Sequence, residues 1–558
     1  MSNAAEVVVA RLEQCGVDTV FGLPGTQNVE LFEALRRSRI RTIVPTHELA
    51  AGFMANGYAR ASGRVGVVAA IQGPGFGYAL TALAEARHDS APLLLLTGAP
   101  ETGRRFALQS LDQRAMAGPV AKAVIRLGGG MALADDVARA HALALAEEPG
   151  PVVLELGSGE AGEGKGEGRG QVPSPPSRLP ALHELVTLVK AARRPVVYAG
   201  QGCAGGAASL RRLAEQLGAP VATTLSGRGV IPEDHPLALA IDLSPAGVDA
   251  LNRLLATADL ILVLGCKLSH NGSAGFRLVL PPDRLVHVDA SAEVLGANYP
   301  ARLTLQADVP GLLAQLAAES WTSGAWRADE IDACRRAARP DDRAEPRIHG
   351  VEPPTPEAFF AALRAELPAE AILTLDSGQH QMLARRHYRV LSPRGMIAPS
   401  DFQSMGFGLP AAIGAALAAP ERPVVALIGD GGFAMSGLEL LTAVRNRLPV
   451  ITIVFRDGML GLIREQQMRE FGHAHGVDLP PVDLAAFAAA VGIRYVGMDG
   501  DLRTELQTAL SAREPALVDV RVGDSPGMRR QHATGFARAS VRRALGPRLI
   551  GVLKRWLR

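Results

Sequence analysis

The sequence predicts an α/β protein built from three doubly wound parallel-sheet domains of similar size. Short, continuous apolar runs alternate with helical stretches along the chain, as expected for parallel strands that helices cover on both faces. Two stretches rich in glycine or proline interrupt this alternation and divide the 558 residues into three parts. A content of 47% hydrophobic and 20% charged residues supplies packed cores and excludes a mainly disordered chain.

The domain boundaries follow from the two interruptions. Residues 157–170 are half glycine, and the segment that starts at Arg339 is rich in proline and charge. Both compositions are typical of flexible linkers. The predicted units, in chain order, are an N-terminal domain (1–157), a Gly/Pro linker (158–180), a central Rossmann-like domain (181–338), a second linker (339–356), a C-terminal domain (357–528) and a basic tail (529–558).

The strands are predicted from apolar runs that contain many β-branched residues. A helical stretch that includes residues 437–446 separates two of the runs in the C-terminal domain. The predicted strands are 65–71, 93–97 and 152–156 in the N-terminal domain, 196–198, 260–264 and 285–288 in the central domain, and 372–375, 424–428, 450–455 and 516–520 in the C-terminal domain.

The composition excludes several classes of function. The formal net charge of +2 argues against a general nucleic-acid binder. No stretch approaches the ~20 uninterrupted apolar residues of a membrane-spanning helix, and the first residues lack the pattern of a secretory signal. Four cysteines lie far apart without a CxxC pair, so we expect reduced thiols and a cytoplasmic protein.

A glycine-rich turn after one apolar run carries the most informative side chain. The run at 424–428 leads into the turn 429–432 (GDGG), and the run at 450–455 is followed closely by Asp457. Adjacent parallel strands would place Asp430 and Asp457 at one edge of the sheet, where open α/β sheets bind ligands. Backbone N–H groups of such a turn can hold phosphate, and two carboxylates suit the octahedral oxygen shell of Mg²⁺. The sequence therefore predicts a magnesium and phosphate site.

The segment 429–458 (GDGGFAMSGLELLTAVRNRLPVITIVFRDG) resembles the thiamine-diphosphate motif of the acetolactate synthase, pyruvate oxidase and 2-oxo acid decarboxylase superfamily. In that family the motif closes near Asn-Asn, whereas this chain has Arg456 and Asp457. The resemblance implies that the metal ligands are the side chains of Asp430 and Asp457 and the backbone carbonyl of Met459. An Asp supplies the same oxygen as an Asn but adds one negative charge.

Four further segments resemble the same family, in the correct order. They are THELAAG (46–52), GPG (73–75), DSGQHQM (376–382) and MGFGLPAAIG (405–414). The resemblance implies that Glu48 is the catalytic glutamate, which would hydrogen-bond the aminopyrimidine of the cofactor, and that Met405 is the apolar wedge that bends the cofactor. The cofactor-binding residues implied in this way are Gly73, Gln379, His380, Gln403, Met405, Gly431, Gly432 and Gly461.

The resemblance also implies cofactors and a reaction. The N-terminal domain would bind the pyrimidine and the C-terminal domain the diphosphate of thiamine diphosphate, with Mg²⁺. The implied reaction is decarboxylation of a pyruvate-like 2-oxo acid with transfer of the acyl-anion unit to a carbonyl acceptor, as in acetolactate synthases. A non-transferring decarboxylase and a flavin-dependent pyruvate oxidase are alternatives, while the intact Glu48, Asp430 and Asp457 argue against a non-catalytic scaffold. Thr26, Gln27, Gln109 and Gln466 would face the substrate, unless they are solvated polar loop residues.

FAD, the tail and the subunit interface separate these alternatives. Residues 200–205 match GxGxxG, but no acid follows about 20 positions later to hold a ribose, so we expect no tightly bound FAD. The tail 529–558 holds nine Arg and Lys and no acid, and it loosely resembles the membrane-binding end of quinone-dependent pyruvate oxidases. Lipid binding is the less favoured alternative to packing on the protein. In the family the glutamate and the metal site meet between subunits, so we expect a homodimer or homotetramer.

Overall fold

The computed structural model describes most of the chain. The described residues are 3–100, 107–128, 132–157, 179–240, 242, 244–322, 324–338, 353–498, 501–511 and 513–522. Most of both predicted linkers and the whole basic tail 529–558 lie outside the described residues. Within the described part, no helix is long and apolar enough to span a bilayer.

The N-terminal domain holds one six-stranded sheet whose neighbouring strands are all parallel. Its central strands are fully buried because helices cover the sheet, in agreement with the apolar runs. The elements are α1 (Ala4–Gln14), β1 (Thr19–Gly22), α2 (Val29–Arg37), β2 (Arg41–Ile43), α3 (Glu48–Ser62), β3 (Gly66–Ala69), α4 (Pro74–His88), β4 (Leu93–Gly98), α5 (Gln113–Ala117), β5 (Ala123–Arg126), α6 (Ala132–Leu145) and β6 (Pro151–Leu156). The strand order is β2-β1-β3-β4-β6-β5.

The central domain has a parallel sheet of five strands. Its elements are α7 (Leu179–Ala191), β7 (Pro195–Ala199), a 3₁₀ helix (Gln201–Gly206), α8 (Ala207–Leu217), β8 (Val221–Thr223), α9 (Pro245–Ala256), β9 (Leu260–Leu264), two 3₁₀ helices (Asn271–Ser273 and Pro282–Arg284), β10 (Leu285–Asp289), β11 (Leu303–Gln306), α10 (Val309–Ala318) and α11 (Ala328–Ala338). The strand order is β11-β10-β9-β7-β8.

The C-terminal domain has a third parallel sheet, of six strands, and this completes the predicted fold class. Its elements are α12 (Pro356–Glu366), β12 (Ile372–Leu375), α13 (Gln379–His387), β13 (Met396–Ile397), α14 (Gly408–Ala418), β14 (Val424–Gly429), α15 (Asp430–Ser436), a 3₁₀ helix (Gly437–Glu439), α16 (Leu440–Arg445), β15 (Val450–Phe455), α17 (Gly461–Phe471), α18 (Leu484–Val491), β16 (Arg494–Gly497), α19 (Leu502–Ser511) and β17 (Ala516–Val520). The strand order is β13-β12-β14-β15-β17-β16.

The helical stretch after β14 differs from the expectation. The sequence predicts one helix that includes 437–446, but α15 ends at Ser436 and a 3₁₀ turn precedes α16. The turn packs against the preceding helix, because a Cβ at Gly437 would lie only 2.9 Å from the ring of Phe433. The break bends the chain directly behind the glycine-rich turn.

The N-terminal and C-terminal domains share one hydrophobic core. Helices α3 and α14 cross so closely that a Cβ at Gly57 would overlap the backbone of Ala411, and a Cβ at Gly414 would overlap the backbone of Met54. Glycine at both positions therefore allows the two helix backbones to touch. This contact fixes the helix that begins at Glu48 against the sheet that carries Asp430.

Candidate active site

Asp430 and Asp457 lie at the carboxyl edge of the C-terminal sheet, as predicted. Strands β14 and β15 pair in parallel up to Gly429 and Phe455, and both acids follow within two residues. Oδ2 of Asp430 accepts a hydrogen bond from the backbone N–H of Gly458 at 2.7 Å. This bond ties the turn after β15 to the turn after β14 and keeps the two carboxylates on one side of the sheet.

The charges of this pair suit a hard cation. Burial and then the negative charge of Asp430 raise the pKa of Asp457, so the two acids repel each other. A divalent cation between them would remove that repulsion. The backbone carbonyl of Met459 belongs to the same turn and adds a neutral oxygen. Oxygen ligands of this kind fit Mg²⁺, which keeps further positions for phosphate oxygens and water.

Arg456, at the first position of the family's Asn-Asn pair, is engaged elsewhere. Its Nη2 and Nε donate to the carboxylate of Asp519 at 2.6 and 3.0 Å, and the Tyr495 hydroxyl donates to the same carboxylate. The guanidinium therefore binds a neighbouring strand, β17. This pairing explains how the chain accommodates an arginine beside the metal ligands.

A pocket of about 250 Å³ opens in front of the acid pair. His380 is buried there, and its Nε2 has no hydrogen-bond partner among the described residues. Burial lowers the pKa of His380 to about 4, so the imidazole is neutral near pH 7 and can donate one N–H to an anion. The predicted residues that line this pocket are Gln379, His380, Met405, Asp430, Gly431, Gly432, Asp457, Met459 and Gly461.

The glycines of the pocket are required by close neighbours. A Cβ at Gly432 would lie 2.9 Å from the carboxylate of Asp376, and a Cβ at Gly461 would overlap the carboxylate of Asp457. Their missing side chains leave backbone N–H groups accessible at the start of α15 and α17. Such groups can hold a diphosphate, so the pocket fits the predicted cofactor.

Asp376 is a site residue that the sequence analysis quoted in a motif without assigning it a role. It is fully buried, and burial raises its pKa to about 6. Its two oxygens accept backbone hydrogen bonds from Ser377, Gly406 and Gly408 at 2.7, 3.0 and 3.1 Å. Asp376 therefore organises the start of α14 and the turn that carries Met405.

The loop from 398 to 407, which we call the cofactor loop, joins β13 to α14 and carries Gln403 and Met405. Gln403 has a left-handed φ of +61°, and its side chain donates to the backbone carbonyl of Pro399 at 2.6 Å. Its carbonyl oxygen accepts from the hydroxyl of Ser377 at 3.3 Å, beside the pocket. The loop thus places Met405 on the pocket wall and holds the backbone of Gln403 next to it.

Glu48 lies in the N-terminal domain, where it is the first residue of α3 and half-buried. A Cβ at Gly75 would come within 2.8 Å of its Oε1, so the GPG turn lies against the glutamate. Two residues earlier, the backbone N–H of Thr46 donates to the buried carboxylate of Glu439 at 3.0 Å. Sequence reasoning missed Glu439, which connects the segment of Glu48 to the C-terminal domain.

The remaining N-terminal candidates lie around the same GPG turn. The amide of Gln27 donates to the side-chain oxygen of Gln109, and a Cβ at Gly73 would lie 2.5 Å from the Gln109 carbonyl. Buried Gln113 accepts from the N–H of Gly73 at 3.1 Å. Thr26 is exposed beside them, whereas Gln466 is exposed on α17 of the C-terminal domain. The structure therefore brings Thr26, Gln27, Gln109 and Gly73 together and leaves Gln466 apart.

The predicted site residues form two groups in a single chain. The described residues that line the 250 Å³ pocket all belong to the C-terminal domain, so Glu48 is not among them. Glu439, which contacts the segment of Glu48, lies nine residues after Asp430, roughly 13 Å along a helical path. One chain therefore holds the pyrimidine-side and phosphate-side groups on separate surfaces.

A second and larger cavity, of about 420 Å³, lies between the three domains. Gly200 and Gly202 of the GxGxxG match line it, and so do Asp289 after β10 and Asp308 before α10. The sequence analysis looked for an acid within about 20 residues of the glycines, and the structure supplies acids from later strands instead. The premise used to disfavour FAD was therefore incomplete.

Comparison with known proteins matches three family profiles in chain order. They are the thiamine pyrophosphate enzyme N-terminal TPP binding domain (residues 2–116), the central domain (182–316) and the C-terminal TPP binding domain (376–520). The acetolactate synthase isozyme 1 large subunit of Escherichia coli (strain K12) is 32% identical over 534 residues, which cover 93% of this chain and 94% of that protein. The chain belongs to the thiamine pyrophosphate enzymes.

Two further relatives of this thiamine pyrophosphate enzyme show how the family divides. The chloroplastic acetolactate synthase of Arabidopsis thaliana is 31% identical, covering 93% of this chain and 81% of that protein. "Probable 2-ketoarginine decarboxylase AruI" of Pseudomonas aeruginosa is 32% identical, covering 93% of this chain and 94% of that protein. The predicted family, fold class and thiamine diphosphate cofactor are confirmed. The individual residue roles, Mg²⁺ and the substrate stay predictions.

Proposed function

We propose that this enzyme uses thiamine diphosphate and Mg²⁺ to decarboxylate a pyruvate-like 2-oxo acid and to transfer the acyl-anion unit to a carbonyl acceptor. The observation that carries the proposal is the pocket in which Asp430, Asp457, the glycine turn and Met405 meet. Synthases among the relatives support the transfer step.

Each group in the pocket then has a defined task. When bound, the cofactor supplies an electron sink for the bond to the departing carboxylate. Asp430, Asp457 and the Met459 carbonyl would hold the metal, while neutral His380 would donate to the diphosphate. Glu48 would hold a proton at the pyrimidine edge. The apolar side chain of Met405 would keep water away from the reacting face.

We further propose that two copies of the chain complete each site, in a homodimer or homotetramer. The separation of Glu48 from the pocket of its own chain supports this arrangement. Large apolar side chains stay exposed on α4 and on the segment after Asp430, where a second copy would cover them. These side chains are Tyr78, Met435, Leu438 and Leu441.

A decarboxylase that does not transfer is the second candidate. It is favoured by the similarity to the protein described as a 2-ketoarginine decarboxylase. The substrate-facing candidates of the N-terminal domain carry a hydroxyl or amides, namely Thr26, Gln27 and Gln109. Since a cationic side chain needs a carboxylate partner, these groups favour a small, uncharged 2-oxo acid over 2-ketoarginine.

A flavin-dependent oxidase is the third reading, and the 420 Å³ cavity is where a flavin nucleotide would bind. We propose that the enzyme carries no tightly bound flavin, so the purified protein should be colourless. An absorbance spectrum with stoichiometric flavin bands would contradict this and favour the oxidase. In that case, deletion of residues 547–558 should abolish binding to anionic vesicles, which would otherwise be unchanged.

We also propose a cytoplasmic location for the enzyme. All four cysteines are free thiols, and Cys203, Cys266 and Cys334 are buried, as expected for a protein in a reducing compartment. Fractionation of cells that produce the full chain tests this proposal.

The reaction is tested by incubating the purified enzyme with thiamine diphosphate, Mg²⁺ and a panel of 2-oxo acids, and identifying products by mass spectrometry. A 2-hydroxy-2-oxo acid or acyloin indicates transfer, whereas a free aldehyde indicates simple decarboxylation. Glu48→Gln is the matched control, because it keeps the shape of the side chain and removes the proton. Normal CO₂ release by this variant would remove Glu48 from the mechanism.

A further inference from the structure

The cofactor loop is held in place by buried carboxylates of two domains. Asp89, on the turn that follows α4, accepts from the N–H of Ser400 at 3.0 Å, and Glu85 on α4 accepts from the N–H of Ser404 at 2.8 Å. Asp376 holds the loop from the other side through Gly406. Three carboxylates therefore grip three backbone amides around the residue predicted to be the wedge.

Glu85 differs from the other two carboxylates because nothing else compensates its charge. Arg60 on α3 pairs with Asp89 at 2.9 Å, and Asp376 accepts several backbone N–H groups. Glu85 is completely buried, and its second oxygen, Oε1, has no hydrogen-bond partner among the described residues. Its hold on Ser404 is therefore the contact most sensitive to its own charge.

We propose that Glu85 is a positioning residue that sets Met405, through the backbone amide of Ser404, at the height needed for the bound cofactor. The inference rests on the proposed role of Met405 as the wedge. Ser404 directly precedes Met405, so a shift of this amide moves the side chain on the pocket wall. Glu85 itself does not line the pocket and acts only through the loop.

The charge state of Glu85 then changes near neutral pH. Burial and then the negative charge of Asp89 raise the pKa of Glu85 to about 7, and Arg60 offsets part of this. Asp89, next to the end of its own helix, and Arg60, on α3, are the charged groups that act on it, and the loop contributes the uncharged Ser404. A hydrogen bond to an ionised carboxylate is about twice as strong as a neutral one, so deprotonation tightens the loop.

The test measures the dissociation constant of thiamine diphosphate by calorimetry at saturating Mg²⁺, from pH 5.5 to 8.5. Glu85→Gln should bind about tenfold more weakly than the wild type at pH 8.5, a loss of ~1.4 kcal/mol, and equally well at pH 5.5. The ratio of the two constants cancels the titration of the cofactor itself. A ratio that stays constant with pH would overturn the inference.

Two further variants separate charge from shape. Glu85→Ala removes the acceptor and should weaken binding at every pH, whereas Glu85→Gln recovers at low pH. Asp289→Asn is the matched control, since burial raises the pKa of Asp289 to about 6 and its carboxylate accepts from the N–H of Ser291 at 3.0 Å. It should follow the wild type throughout. Identical curves for Glu85→Ala and Glu85→Gln would refute a role for the hydrogen bond.

The proposed function can fail separately. A wild-type enzyme that binds thiamine diphosphate but releases CO₂ from none of the 2-oxo acids would refute the proposed reaction. The comparison of binding constants would still decide the role of Glu85. Thermal unfolding of each variant confirms that the measured species is folded.

Discussion

The C-terminal and central sheets both place glycine-rich turns after parallel strands, yet the two edges differ. In the C-terminal sheet, Asp430 and Asp457 face an open pocket, with backbone N–H groups beside them. In the central sheet, the glycines pack on one another, since a Cβ at Gly200 would overlap the carbonyl of Gly265. Buried Asp289 hydrogen-bonds the backbone of its own turn.

This difference shows when a strand-end glycine motif indicates a ligand. At the central edge, contact between two turns of the protein is sufficient to require glycine. At the C-terminal edge, a second acid from the neighbouring strand creates a repulsion that only a cation would relieve. The pairing of acids across strands is therefore more informative than the glycine pattern alone.

The largest effect should come from removing an acid at each edge. Asp430→Ala should weaken Mg²⁺-dependent binding of thiamine diphosphate by more than the ~10–100-fold that loss of an outer-shell partner costs, because a charged ligand disappears. Asp289→Ala should leave this binding unchanged. Calorimetry of both variants measures the contrast, and equal losses would remove the distinction between the two edges.

Glycine replacements should show the reverse pattern in stability. Gly200→Ala forces the backbone of Gly265 to move and should lower the free energy of unfolding by roughly 2–4 kcal/mol. Gly458→Ala, at a φ of +72° with open space around it, should cost only about 1–2 kcal/mol. Chemical denaturation of both variants tests this order. A smaller loss for Gly200→Ala would mean that packing does not require that glycine.

The acid behind the cofactor loop predicts a pH-dependent stability. The pKa of Glu85 is about 7 in the folded protein and near 4.5 when exposed, so stability is complete below pH 4.5 and falls as pH rises to 7. Glu85→Gln lacks this titration. Its unfolding free energy relative to the wild type should therefore rise between these pH values, on the order of 2–3 kcal/mol. A difference independent of pH would contradict the buried charge.

The smallest effect is expected at the position that departs from the family. Asp457→Asn keeps a ligand oxygen and should leave cofactor binding within a few fold of the wild type. Asp457→Ala is the matched control and should bind clearly more weakly. If Asp457→Asn loses the cofactor as completely as Asp430→Ala, the assignment of Asp457 as a ligand is wrong.

The strands and the acid pair could be predicted because their signals are local. Continuous apolar runs mark the buried strands, and Asp430 and Asp457 follow two of them closely. Glu85, Asp376 and Glu439 could not be predicted, because a buried acid in a sequence looks like a solvated one. Their role depends on backbone amides that are distant along the chain, such as the contact between Glu439 and Thr46.

The arrangement of the site between two copies is tested most directly by complementation. Glu48→Gln and Asp430→Ala chains are inactive alone under this account, because each lacks one half of the site. Co-purified or exchanged mixtures should recover about a quarter of the wild-type rate of CO₂ release, since half of the dimers are mixed and each holds one intact site. A mixture that stays as inactive as its components would contradict a site built from Glu48 of one copy and Asp430 of the other.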